Sequence, residues 1–221
     1  MRIDEIVKKQ PSEYDNVRNQ ITSKLKSLGY TLSGEGMDAM IWSKDAGSVI
    51  KMIIPYQQRA ERANSAFLLF YQFCQENKDS PYLPKFVDIG GEHHTVFEFN
   101  GQQYRQIAME KLKPIPKNTL LSKIYAKLTE LVGRDTDWEK IKIQLMDPDT
   151  WTPMHQYATY STRPIKQMLS NPETEKMYQG LYEIMKKLSI LGYKNRSMLD
   201  RNPDNLMLRG NTPVIIDPWY N

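Results

Sequence analysis

The residues best suited to chemistry stand near the C-terminus, in the stretch LGYKNRSMLDRNPDNLMLRGNTPVIIDPWYN. Asp200 is followed five residues later by Asn205, and an apolar run, Pro213-Val-Ile-Ile, delivers Asp217 twelve residues after Asn205. A carboxylate can accept a hydroxyl proton or orient the hydroxyl for attack. A carboxamide oxygen and a second carboxylate supply hard oxygen ligands. Phosphoryl transfer needs this set: one Asp for the acceptor hydroxyl, with an Asn on the same loop and a second Asp holding Mg2+ against nucleotide phosphates.

These groups need elements to hold them. The segment 11–29 carries Val17, Ile21, Leu25 and Leu28 at spacings of three and four, an amphipathic helix with Ser12 as N-cap and Gly29 as stop. YTLSGEG, DAMIW and SVIKMII follow as short strands separated by turns, one of them Lys44 to Gly47. A second helix over 59–75 aligns Ala63, Phe67, Phe70 and Cys74, and the loop KDSPYLPK ends it. HTVFEF and QYRQIAM read as two more strands, with Asn100-Gly101 suited to the positive φ angles of a type I′ turn.

After Leu112 the connector KLKPIPKN leads into helix formers, with helical periodicity over Thr119 to Gly133 and Asn171 to Leu191. Residues 134–172, with Trp138, Trp151 and several Pro breaks, predict short helices and loops. The expected architecture is α+β in two lobes. Residues 1–112 carry the helices and a five-stranded antiparallel sheet. Residues 113–221 are mostly helical, with a catalytic loop at 198–205 and a metal-binding strand at 213–217.

Order and residue type together resemble the protein-kinase-like superfamily, which includes the aminoglycoside and choline kinase type of small-molecule phosphotransferase. The Asp200-to-Asn205 spacing is that of the kinase catalytic loop. By that resemblance Asp200 is the catalytic Asp, Asn205 the metal-binding Asn, and Asp217 the metal-binding Asp before the usual Phe-Gly. LSGEGMDAMIW, with Gly34 and Gly36, resembles the glycine-rich hairpin over the phosphates. Val49-Ile50-Lys51 resembles the strand whose lysine contacts the α and β phosphates and pairs with a helix glutamate. Glu61 is the first candidate for that partner and Glu76, at the helix's far end, the second. Met109-Glu110-Lys111-Leu112 matches the hinge that binds the adenine ring. The resemblance spans Tyr30 to Leu112 and Tyr182 to Trp219, and implies ATP and Mg2+ as cofactors and a bilobal kinase-like fold.

The pattern also departs from the family. Met198 stands two before Asp200, where protein kinases have His, and Asn202 stands two after, where they keep Lys and small-molecule kinases often His. The chain stops four residues beyond Asp217, so the expectation is a minimal kinase lacking an activation segment, with the acceptor site supplied from 113–190. The leading expectation is an ATP- and Mg2+-dependent phosphotransferase acting on a hydroxyl of a protein or small molecule. The alternative is a catalytically weak or inactive pseudokinase that binds a nucleotide or a partner protein.

Composition narrows the classes further. A single cysteine, Cys74, excludes an intramolecular disulfide and a cysteine-rich zinc cluster. The net charge of +4, without a basic run, makes nucleic acid an unpromising partner. With no signal-like leader and no span of apolar residues, the expected location is the cytoplasm, or a host's cytoplasm if the protein is viral. His93 and His94 read as a surface turn, since adjacent strand side chains point to opposite faces. Neither a Gly-x-Ser-x-Gly nor a His-Glu-x-x-His is present to suggest a hydrolase.

Overall fold

The computed structural model describes residues 13–35, 39–44, 47–53, 60–87, 94–99, 102–116, 119–132, 137–154 and 162–220. Gly36, Ser12 and the Asn100-Gly101 pair lie outside them. The chain divides into two compact units, residues 1–65 with 86–111 and residues 66–85 with 112–221. The second half of the helix expected over 59–75 thus groups with the C-terminal unit.

The first unit is built on one antiparallel sheet in the order β1-β2-β3-β5-β4. Its strands are β1 (Thr31–Glu35), β2 (Ala39–Ser43), β3 (Ser48–Ile53), β4 (His94–Phe99) and β5 (Gln102–Glu110). Residues paired across an antiparallel ladder share a face, and successive residues alternate. Met40, Trp42, Met52 and Tyr104 therefore project from one face. Helix α1 (Glu13–Ser27) covers it with Ile21 and Leu25, and Val17, Leu32 and Ile50 pack at the margin. Leu28, expected in the helix stripe, is instead half exposed. The helix ends at Ser27, and Gly29 at φ +85° turns the chain, its N–H and that of Tyr30 closing on the carbonyls of Lys26 and Leu25.

The opposite face carries Ile41, Lys51, Ile107 and Met109, paired as Ile41 with Lys51, Lys51 with Ile107, and Val49 with Met109. Gly34 joins this face through an irregularity in β1. Leu32 pairs with Trp42 but Gly34 with Ile41, so one extra residue, Ser33, sits in β1 between the two rungs. The Ser33 hydroxyl is 2.7 Å from that of Ser43.

Helix α2 (Ala60–Glu76) runs from the first unit into the second, where Phe70, Phe73 and Cys74 are buried. In the second unit Thr119 caps α3 (Leu120–Leu131), Asp137 caps α4 (Trp138–Met146) and Asn171 caps α6 (Pro172–Lys194), each side chain accepting from first-turn N–H groups. Between α4 and α6 lie a 3-10 segment (Pro148–Met154) and α5 (Arg163–Leu169). The 23-residue α6 is the spine, burying Tyr178, Leu181, Tyr182, Met185 and Leu188. Trp138 of α4 packs its ring 5.8 Å from that of Tyr182. Where the sequence suggested one strand, at 213–217, the described residues of the unit hold five short ones. β6 (Lys113–Pro114), β8 (Leu206–Arg209) and β9 (Thr212–Ile215) form one sheet, and β7 (Met198–Leu199) and β10 (Trp219–Tyr220) another. Among the described residues no helix is long and apolar enough to cross a membrane.

Candidate functional site

The C-terminal chemistry is assembled by two short antiparallel pairings. β7 runs into Asp200 and β10 leaves just after Asp217, and their pairing sets Leu199 opposite Trp219. The ladder continues one bond further, with the Asp200 N–H donating to the Pro218 carbonyl at 2.8 Å. Two residues 17 apart in sequence thus enter the site side by side. The second pairing is the β8–β9 hairpin, which departs from Asn205 and returns to Ile216. Gly210 at φ +62° makes its turn, and the Ile216 N–H donates to the Asn205 carbonyl at 2.9 Å, closing the hairpin at its base.

Within the loop the short polar residues bond to one another and to nearby backbone, as the composition RNPDN favours. Asp200 Oδ1 accepts the Asn202 N–H at 2.9 Å, and Asp200 Oδ2 accepts the Asn205 side-chain amide at 2.8 Å. Asn202 Oδ1 in turn accepts the Asp204 N–H at 3.1 Å, capping the single 3-10 turn Pro203–Asn205. Each Asp200 oxygen therefore has one bond from the loop. A carboxylate has about four acceptor sites, which leaves capacity for an incoming hydroxyl. The bond from Asn205 also fixes its amide plane, with the nitrogen toward Asp200 and the oxygen, a hard donor, on the other side.

Tyr125, buried in α3, donates its hydroxyl to the Asp200 carbonyl at 3.3 Å. Burial holds its phenol well above the usual tyrosine range, and the charges of Asp200 and then Asp217 push it the same way. Sequence reading missed Tyr125, because an aromatic in the helical run LLSKIYAKL carries only a core signal.

Two glycines on α6 seat the strands. A Cβ at Gly192 would lie 2.5 Å from the Trp219 indole nitrogen and 2.9 Å from the Ser197 carbonyl oxygen. The helix and β10 can approach this closely only without that side chain. The indole N–H then reaches the Leu188 carbonyl at 3.2 Å, and its ring meets Phe70 edge-on. A Cβ at Gly180 would come within 2.5 Å of the Tyr82 ring, and the Tyr82 carbonyl accepts the Ile215 N–H at 2.9 Å. Arg209 of β8 donates to the carbonyls of Pro81 and Leu83, both at 2.8 Å. An isolated glycine within a helical period was the available sequence signal for both contacts.

Among the described residues no three His, Cys, Asp or Glu gather in a way that could hold a metal ion. What the loop offers is the Asn205 amide oxygen and the Asp217 carboxylate. That set suits Mg2+, which takes one or two protein carboxylate or amide oxygens, keeps several waters and completes its shell from substrate phosphates.

Asp200, Asn205 and Asp217 are therefore brought together, in the second unit. Gly34, Lys51 and Met109 share one face of the first unit's sheet, the face away from α1. Lys51 is half-buried on the central strand β3, and Met109 is buried. Glu110 ends β5 opposite Ser48, and the next N–H, of Lys111, donates to the Gly47 carbonyl at 3.0 Å. Leu112 follows, buried and grouped with the second unit. Glu61 lies in the first turn of α2, where its side chain is not described, and Glu76 is exposed at the helix's last residue.

No protein-family model matches the sequence, and no curated protein matches it either. Solved structures similar to the chain include an ADP-bound aminoglycoside phosphotransferase APH(2'')-Ib, at 14% identity and TM-score 0.33 over 91% of this chain and 69% of that one. A streptomycin-ATP-APH(2'')-IIa ternary complex matches at 15% identity and TM-score 0.33, over 98% and 71% of the two chains. A gentamicin-APH(2'')-IIa complex matches at 16% and 0.34, over 91% and 68%. The loop's own geometry carries the functional reading.

Proposed function

We propose that this protein is a phosphotransferase of the protein-kinase-like type, using ATP and Mg2+ to phosphorylate a hydroxyl. The observation that carries the reading is the joined loop: Asp200 held by the Asn205 amide, with Asp217 delivered beside it by the β7–β10 pairing. In this reading Asp200 orients the acceptor hydroxyl and takes up its proton. The Asn205 oxygen and the Asp217 carboxylate hold the metal, which when bound would neutralise charge on the β and γ phosphate oxygens. Lys51 and the glycines of the β1–β2 hairpin, Gly34 and Gly36, serve the phosphates, with Glu61 as the partner of Lys51. Met109, Glu110 and Leu112 serve the base.

Incubation with γ-labelled ATP, Mg2+ and a cell lysate tests this directly. Label should move to a protein or to a small molecule, and Asp200→Ala and Asp217→Ala should each abolish transfer. Undiminished transfer by both variants would overturn the assignment.

One observation favours a binding role without turnover. Asn202, at the position where related enzymes place a cationic side chain, commits its oxygen to the Asp204 N–H. Met198, at the other such position, is exposed and apolar. Stabilisation by ATP and Mg2+ in thermal unfolding, without transfer to any acceptor in a broad panel, would support that second reading.

A further inference from the structure

The irregularity in β1 divides two neighbouring residues between the faces of the sheet. Glu35 pairs with Met40, whose side chain lies in the core beneath α1, so Glu35 is on the α1 face. Gly34, one residue earlier, pairs with Ile41 on the face of Lys51. Without the extra residue at Ser33 every position after it would change sides. Gly34 would then turn toward α1 and Glu35 toward Lys51. The register of this short edge strand is thus what places the glycine, and β1 pairs with only one neighbour.

The Ser33–Ser43 hydroxyl contact lies at the irregularity itself, and α1 reaches the strand beyond it. Arg18 lies on the helix face that also carries Ile21 and Leu25, with its side chain only 9% exposed. Its guanidinium Nη2 is 2.7 Å from Glu35 Oε1. Arg18 is buried, and its head reaches the last residue of β1, whose side chain is 54% exposed. In the slipped register Glu35 would face the other way and this ion pair would be lost.

We infer that Arg18 is a positioning residue for the nucleotide site, fixing through Glu35 the bulged register that presents Gly34 on the Lys51 face. The inference rests on the proposed ATP-binding function for its consequence, but its structural half can be read without nucleotide. Arg18→Met keeps the buried stem and removes the charge. Glu35→Gln keeps an acceptor oxygen at nearly the same place.

The experiment has two arms. In the first, hydrogen exchange of the free protein is followed at the amides of residues 31–35. Arg18→Met should accelerate exchange there at least about fivefold, with Glu35→Gln intermediate and the α6 amides unchanged. Unchanged exchange in β1 would overturn the inference whatever the protein binds. In the second arm a fluorescent ATP analogue is titrated with Mg2+. Arg18→Met should weaken binding at least about fivefold. The Arg18→Met/Gly34→Ala double variant should bind no worse than the weaker of the two single variants, because both act through one placement. Additive losses, or a lower melting temperature with unchanged affinity, would reduce the ion pair to a fold contact. Wild-type protein that binds no analogue at all would defeat the proposed function while leaving the exchange arm to decide the register.

Discussion

Replacing Gly192 with alanine should damage the site from its far side. The added methyl would sit 2.5 Å from Trp219 Nε1 and 2.9 Å from both Trp219 Cδ1 and the Ser197 carbonyl oxygen. Comfortable contact begins near 3.5 Å, so the indole has to retreat by about 1 Å. It cannot do so alone. Its N–H is engaged with Leu188, its ring edge meets Phe70, and its backbone is paired with Leu199. Helix propensity favours Ala over Gly by about 1 kcal/mol. Overpacking opposes this by about 1–3 kcal/mol, and losing the buried indole hydrogen bond adds about 1–3 kcal/mol. The clash therefore wins, by about 1–5 kcal/mol net. At roughly 2–4 °C per kcal/mol for a chain of this size, the melting temperature should fall by about 2–20 °C. Because Pro218, whose carbonyl accepts the Asp200 N–H, directly precedes Trp219, the proposed phosphate transfer, measured below the melting transition, should also drop. Ile190→Ala, a change to an exposed residue on the same helix, is the control and should alter neither. A Gly192→Ala protein that melted within a degree of wild type and kept full activity would refute the view that Trp219 locks the loop.

The other predictions concern the first unit and alkaline stability. Gly34 has neither a positive φ nor a crowded Cβ position, since an added methyl would meet Ile41 at an ordinary 3.6 Å. Gly34→Ala should therefore leave thermal unfolding unchanged or slightly improved, yet weaken ATP binding if phosphates pass over that backbone; unaltered affinity in a titration would remove Gly34 from the site. Burial suppresses the ionisation of Cys74, Tyr125 and Tyr178, pushing the last up to about 12. Each raised group releases its proton from the unfolded chain first, so the unfolded state binds fewer protons and stability falls as pH rises. For Tyr178 the loss spans about pH 10 to 12, between its ordinary and its folded value. Urea midpoints measured from pH 8 to 11 should decline above about pH 9, where the Cys74 thiol begins to matter, and Tyr178→Phe should flatten the upper part of the curve.

Much of the element order could be read from residue pattern, because the signals were local. The helical periods that begin at Thr119 and Asn171 and the strand periods of β1, β2, β3 and β5 lie where the side chains announce them. The Asp200-to-Asn205 interval of five was recognisable for the same reason, being local. What escaped depends on contacts distant in sequence. β7 and β10 are two residues each and exist only because they pair with one another. Tyr125 looks like any core aromatic until α3 is set against Asp200, 75 residues away. Leu28 fits the helical stripe but falls beyond the residue where the helix ends. The role of Ser33 as an inserted residue is invisible without its partner strand, since YTLSGEG alternates acceptably in either register.

The bond from Ile216 to Asn205 carries a lesson about tolerance to insertion. Because that rung closes the base of the β8–β9 hairpin, the separation of Asn205 and Asp217 in space does not depend on how many residues the hairpin contains. The Gly210 turn, open around its Cα, is a place where a tag, a longer loop or a small reporter domain could be spliced in while Asn205 and Asp217 keep their mutual distance. Numbering in the chain and geometry in the loop are uncoupled there, so a search that demands a fixed interval between the two residues would pass over proteins that share the same clasp.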